Sequence, residues 1–157
     1  MTDLKILVEI LERIEGNLSL YFRGFRDYPS PNRISQLKEQ VIEISKDLHQ
    51  TILSYTEKLQ SVRISGVPLQ TVIKLLSKAE IYLDAYQQPL LPTEILVEVK
   101  RIENNPEHSD LWGKDSKETL KNLIYRKGLQ AMGTLRNFIK KIQESENYER
   151  KIGFNKG

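Results

Sequence analysis

Residues 4–25 read LKILVEILERIEGNLSLYFRGF, and the spacing of their apolar side chains decides the fold class. Leu4, Leu7, Leu11, Ile14, Leu18, Tyr21 and Phe25 follow one another in alternating steps of three and four. That spacing puts all seven on one face of an α-helix, as a heptad seam. A half-buried strand would instead alternate apolar and polar residues with period two. No segment of this chain does so convincingly. Gly16 lies off the seam and costs the helix about 1 kcal/mol relative to Ala. The helix is expected to end near Gly24, ahead of Tyr28-Pro29-Ser30-Pro31.

The same logic carries along the chain. Ser30 can cap a second helix, with Pro31 at its first position, where a missing N–H does no harm. Its seam is Ile34, Leu37, Val41, Ile44, Leu48, Ile52, Tyr55, Leu59 and Val62. Ser65-Gly66-Val67-Pro68 reads as its stop, a C-cap glycine before a helix-breaking proline. Pro68 opens a third helix with seam Leu69, Val72, Leu76, Ala79, Leu83 and Tyr86. Between Pro92 and Asn104-Asn105-Pro106 lies a short helix over about Thr93 to Glu103, with Ile95, Val99 and Ile102 inward. The last helix is expected from about Asp115 to Gln143, burying Leu120, Ile124, Ala131, Leu135, Phe138 and Ile142. Asp115 and Glu118 have the spacing of a capping box. Residues 144–157 are expected to be a frayed polar tail.

Four long amphipathic helices joined by proline-marked turns predict an all-α, antiparallel four-helix bundle. The additional short helix falls between the third and last long helices. At 157 residues the chain is expected to be one domain with a sizeable core. The same seams would also suit an intermolecular bundle, so a homo-oligomer is a second expectation.

Composition narrows the chemistry. With no Cys, the chain can form no disulfide and no zinc–thiolate site. This usage fits a reducing compartment, and a cytoplasmic location is expected, or a nuclear one in a eukaryote. No apolar run is long enough to span a membrane, and the start does not read as a signal peptide. There is no Gly-rich phosphate loop, no Glu-x-x-His pair for a di-iron bundle, and no zinc set. No cofactor is expected.

Charge is the best functional clue. The chain holds 24 bases and 21 acids; residues 117–157 hold 10 and 4 of these, leaving 14 and 17 in residues 1–116. A mildly acidic body thus carries a basic C-terminal quarter. Between Thr119 and Gln143 there is no acid, but there are Lys121, Arg126, Lys127, Arg136, Lys140 and Lys141. At 100° per residue, Arg126, Arg136 and Lys140 point away from the seam, with Asn122 and Asn137 between them. Lys127 and Lys141 flank it. Such a face suits a phosphate backbone or an acidic protein surface. The competing reading is a solvated face whose bases complement the helix dipole.

A second basic region is Tyr21-Phe22-Arg23-Gly24-Phe25-Arg26-Asp27-Tyr28, with Arg33 beyond it. Rings stack on bases, and Arg adds phosphate contacts. Tyr21 and Phe25 lie on the seam and are expected to seal the bundle end. Phe22 and Tyr28 are then the candidates for exposure, with Arg23 and Arg26 solvated. Trp112, the only Trp, is expected to pin a loop together with Leu111. Gly128, near the last seam, would permit close helix approach, whereas Gly133 has no evident packing reason.

Arg101 and His108 have the Arg-to-His spacing of the HEPN-type helical ribonucleases. That resemblance implies a metal-independent cleavage with His as general acid–base. Two further resemblances concern outline alone. Tyr28-Pro29-Ser30-Pro31-Asn32-Arg33 before a long helix resembles the accessory variability proteins of diversity-generating retroelements, basic bundles that bind nucleic acid. Val67-Pro68-Leu69, a helix and then a basic last helix is similar to a middle-module Mediator subunit. Both imply a small bundle inside a larger assembly, and no residue role is carried over from either.

The expectation is therefore a non-enzymatic bundle that binds RNA or DNA, or scaffolds a nucleic-acid-handling complex, through its basic C-terminal helix. Arg126, Arg136 and Lys140 lead, Lys121, Lys127 and Lys141 support them, and Arg23, Arg26 and Arg33 can join. The alternatives are a pure protein-interaction subunit and the Arg101–His108 ribonuclease.

Overall fold

A computed structural model describes residues 3–105, 107 and 115–145. Five helices follow in order: α1 (Asp3–Asp27), α2 (Pro31–Ser61), α3 (Val67–Tyr86), α4 (Thr93–Glu103) and α5 (Ser116–Gln143). There is no strand among the described residues. His108, Leu111, Trp112 and the tail from 146 onward lie outside them.

The helix starts follow local chemistry. The Ser30 hydroxyl accepts from the Arg33 amide at 3.2 Å, with Pro31 just inside the helix. The Asp115 carboxylate accepts from the Glu118 amide at 2.8 Å. Each satisfies a backbone donor that a helix N-terminus leaves without a partner.

The end of α2 differs from expectation. The residue with left-handed backbone is Arg63, at φ 59°, and not Gly66, which caps the start of α3 at φ −82°. The Arg63 amide donates to the Gln60 carbonyl at 3.0 Å, and the Ile64 amide to the Leu59 carbonyl at 2.9 Å. This is a Schellman turn. Its apolar closure is Ile64 against the core beside Leu59, both buried. Burial of Ile64 offsets the roughly 1–2 kcal/mol that a non-glycine residue spends in this conformation. The early stop leaves Val62 half-buried.

α1 also ends later than expected, at Asp27, with the Tyr28 amide bonded to the Gly24 carbonyl at 3.0 Å. Gly24 simply continues the helix, since no glycine among the described residues has positive φ. A second correction follows from helix geometry. Phe22, expected to be exposed, is fully buried, while Tyr21 is only half-buried. A straight helix drifts about 20° per heptad relative to a 3.5-residue seam. By the third heptad of α1 the inward position has moved from Tyr21 to Phe22. Tyr28 is exposed, as expected.

The long helices form an antiparallel ring. α1 packs on α2 and α5, and α3 packs on α2 and α5. Lys58 of α2 pairs with Asp3 of α1 at 3.6 Å, and Lys38 of α2 with Asp84 of α3 at 2.6 Å. The heptad seams are consumed inside this ring, with Leu7, Leu11, Leu37, Leu48, Leu76, Leu120 and Leu135 fully buried. α4 packs on α5. It is tied in by a hydrogen bond from the Tyr82 hydroxyl to Glu98, and by one from Thr119 to Glu103 at 2.9 Å. No helix among the described residues is long and apolar enough to cross a membrane.

One end of the bundle gathers the C-termini of α1 and α3 and the start of α5. Phe25 meets Tyr86 edge-to-face at 5.5 Å between ring centroids. That contact seals the end, as Phe25 was expected to do. Lys117 reaches across from α5, its ammonium donating to the carbonyls of Tyr86 and Gln88 and lying 5.0 Å from the Tyr86 ring.

Candidate nucleic-acid interface

The seam between α1 and α5 decides which basic residues share a surface. The two helices approach tightly at Gly128, where a Cβ would fall 2.5 Å from two carbons of the Phe22 ring. Only glycine admits the ring at that distance. The approach sets the register of all the charged groups beside it.

On the side of Gly128 toward the start of α5, bases of both helices converge. The Arg26 guanidinium lies 4.6 Å from the centroid of the Tyr125 ring. It also donates to the Tyr125 hydroxyl at 3.0 Å and to Asp27 at 2.9 Å. The Asp27 hydrogen bond raises the already high pKa of Arg26. Arg26 is thus half-buried on α5, and not freely solvated as expected. Lys121 and Arg126 flank Tyr125 on α5; Lys121 is half-buried and Arg126 exposed. Arg23, one turn before Arg26, is exposed and donates to the Ser19 hydroxyl at 3.1 Å.

On the other side of Gly128 the pattern changes. Arg136 pairs with Glu15 of α1. Glu9 and Glu12 continue the acidic run toward the start of α1, and both are exposed. The outward line of Arg126, Arg136 and Lys140 is therefore not uniform. Its middle member is countered by a carboxylate, and Lys140 lies beyond that point. Lys140 and Lys141 are exposed, and Lys127 is half-buried.

Arg33 joins α1 from α2. A Cβ on Gly24 would fall 2.5 Å from its Nη1, so the guanidinium lies directly over Gly24. Leu20, Tyr21, Gly24, Arg33 and Gln36 line a cleft of about 320 Å³ between the two helices. A second groove of about 420 Å³ runs along α1 and α2 near Asp3, Thr51 and Tyr55. It is further from the basic end, and its Asp3–Lys58 pair balances its charge.

Other candidates separate from this surface. Lys117 lies at the same end of the bundle, but it is spent on the α3 carbonyls, and desolvation lowers its pKa. Arg101 is exposed on α4, and its proposed partner His108 falls outside the described residues. No group of three or more His, Cys, Asp or Glu residues among the described residues is arranged to hold a metal.

Sequence reasoning named the basic residues but not Tyr125, which joins α1 to α5, nor Glu15, which splits the line. Neither carries a local signal. Both act through a neighbouring helix that is remote in sequence.

Comparison of the chain with protein-family models, with curated proteins and with solved structures finds no match in any of the three.

Proposed function

We propose that this protein binds nucleic acid without catalysing a reaction on it. The contact surface is the basic end of the α1–α5 face: Arg23, Arg26, Lys121 and Arg126. The observation that carries this reading is the stacking of Arg26 on Tyr125. It joins two basic segments, remote in sequence, around one aromatic group.

Electrostatics supports the choice of this end over the other. A phosphate backbone follows a run of cations, and each cation that neutralises a phosphate releases a counterion. At the Arg136 end, Glu15 pairs with Arg136, and the exposed Glu9 and Glu12 precede it on α1, carboxylates that oppose phosphates. At the Tyr125 end Asp27 is bonded to Arg26, and Glu118 stands one turn before Lys121 at the start of α5, against the four bases of the strip. The binding strip is accordingly shorter than α5 and is shared with α1.

The test is retention of labelled RNA and DNA as salt rises. About four phosphate contacts imply that the logarithm of affinity falls with the logarithm of salt at a slope of roughly −3 to −4. Charge reversal of Arg23, Lys121 and Arg126 together should abolish binding. Reversal of Arg136, Lys140 and Lys141 should weaken it much less. Equal losses in the two triple variants would show that net charge alone governs binding. No retention at low salt would end the reading, and co-purification with a protein partner would then favour an assembly subunit.

A further inference from the structure

The basic strip does not stop at α1. Passing around the bundle from Tyr125, the surface runs through Arg26 and Arg23 to Leu20 and Gly24, then into the cleft against α2. Leu20 is 65% exposed, although it is a large apolar side chain on a helix that otherwise buries most of its own. Tyr21 is half-buried in the cleft wall, and Arg33 and Gln36 supply polar groups from α2. Among the described residues no carboxylate lines the cleft, and Arg33 is its only charged group. Tyr28, 68% exposed, stands at the turn between the two helices.

We infer that the nucleic acid is single-stranded, and that one of its bases lodges in the cleft between α1 and α2, against Tyr21, Leu20 and Arg33. This rests on the preceding proposal and narrows it. A duplex keeps its bases stacked inside and offers only phosphates and groove edges to a convex bundle. A single strand can turn a base outward, and proteins hold such bases on rings and guanidinium planes. The cleft has what this requires: an apolar wall, a ring, a cation over Gly24, and an amide able to both donate and accept. Its volume of about 320 Å³ is at the small end of ligand sites, which run from roughly 300 to 1,000 Å³. That suits one base and not a folded ligand. Arg23 and Arg26, one to two turns along α1, then lie where the flanking phosphates would pass.

Gly24 permits this arrangement. Its missing side chain lets the Arg33 Nη1 come down onto α1, and the three nearest atoms to an added Cβ all belong to Arg33. Gly24→Ala would thus displace Arg33 without disturbing the core.

The experiment measures fluorescence anisotropy of the full chain with labelled oligothymidine and oligouridine strands and with a duplex of the same length, at one low salt concentration. Wild type should bind the single strands at least several-fold more tightly than the duplex. Leu20→Glu and Gly24→Ala should each keep the wild-type circular dichroism. Leu20→Glu should lose at least about 5-fold in single-strand affinity, because it replaces the apolar wall with a carboxylate that the base and its flanking phosphates must meet. Gly24→Ala should lose less, with its duplex binding shifted less than twofold; duplex binding by Leu20→Glu, whose carboxylate lies one turn from Arg23, should fall by a clearly smaller factor than its single-strand binding. Equal affinity for strand and duplex, or single-strand binding indifferent to Leu20→Glu, overturns the cleft while leaving the phosphate-binding strip intact. Binding of neither probe removes both proposals and leaves Leu20 and Tyr28 to a protein partner.

Discussion

Replacing Gly128 with Ala should destabilise this protein, even though the same change elsewhere in α5 should stabilise it. Ala is favoured over Gly in a helix interior by about 1 kcal/mol. At Gly133 nothing lies within 4 Å of an added Cβ, so Gly133→Ala should gain that amount in full. At Gly128 the added carbon would meet the Phe22 ring at 2.5 Å, and Phe22 is fully buried. The ring cannot swing into solvent, so the helices must move apart or the ring must leave its rotamer. Overpacking of this kind costs about 1–3 kcal/mol. The propensity gain cancels between the two variants, so their difference isolates the packing cost, again about 1–3 kcal/mol. In a domain of this size each kcal/mol moves Tm by about 2–4 °C. Urea unfolding followed by circular dichroism, at unchanged slope, gives both values. Phe22→Leu should relieve much of the penalty in the Gly128→Ala background, a coupling that a double-mutant cycle detects. If Gly128→Ala stabilises as much as Gly133→Ala does, Phe22 does not sit on Gly128. The register that brings Arg26 to Tyr125 would then lose its basis.

Three further outcomes follow from the same packing. Arg63→Gly should stabilise the chain by about 1 kcal/mol, because it relieves a left-handed residue at the end of α2; an unchanged urea midpoint would contradict the Schellman turn. Asp115→Ala should cost about 1 kcal/mol by leaving the first turn of α5 uncapped, measured in the same way. Burial, reinforced by the hydrogen bond to Glu98, raises the Tyr82 phenol well above its ordinary pKa of 10.0. Above that pH the unfolded chain gives up this proton and the folded chain keeps it, so stability is intact below about pH 10 and falls as pH rises further. Unfolding midpoints through the alkaline range should therefore drop more steeply for wild type than for Tyr82→Phe, and parallel slopes would refute the assignment.

Much of the architecture was legible because helix periodicity is a local property. The seams of α1, α2, α3 and α5 each required only the spacing of apolar residues. The starts at Ser30 and Asp115 needed only a side chain three residues ahead of the amide it caps. The bounds of α4 came from Pro92 and the Asn-Asn-Pro that follows it. The structure departs from the sequence expectation at one turn set by burial and at one helix face set by drift against the heptad. Gly66 has the local signal of a C-cap, but burial of Ile64 pulls the turn back to Arg63. A strict heptad puts Phe22 outside, but α1 drifts relative to that repeat and turns Phe22 inward by the third heptad.

The candidate site divides along the same line. The sequence by itself determined that the last helix is basic and free of acid over 25 residues, and that a second basic and aromatic segment closes the first helix. Both are counts along one strand of chain. Only the tertiary structure decided that the two meet at Arg26 and Tyr125, that Glu15 removes Arg136 from the line, and that Arg33 lies over Gly24. The reason is physical. A helix has its own period but no knowledge of its neighbour's register, and here that register is set by a phenyl ring seated on a residue with no side chain.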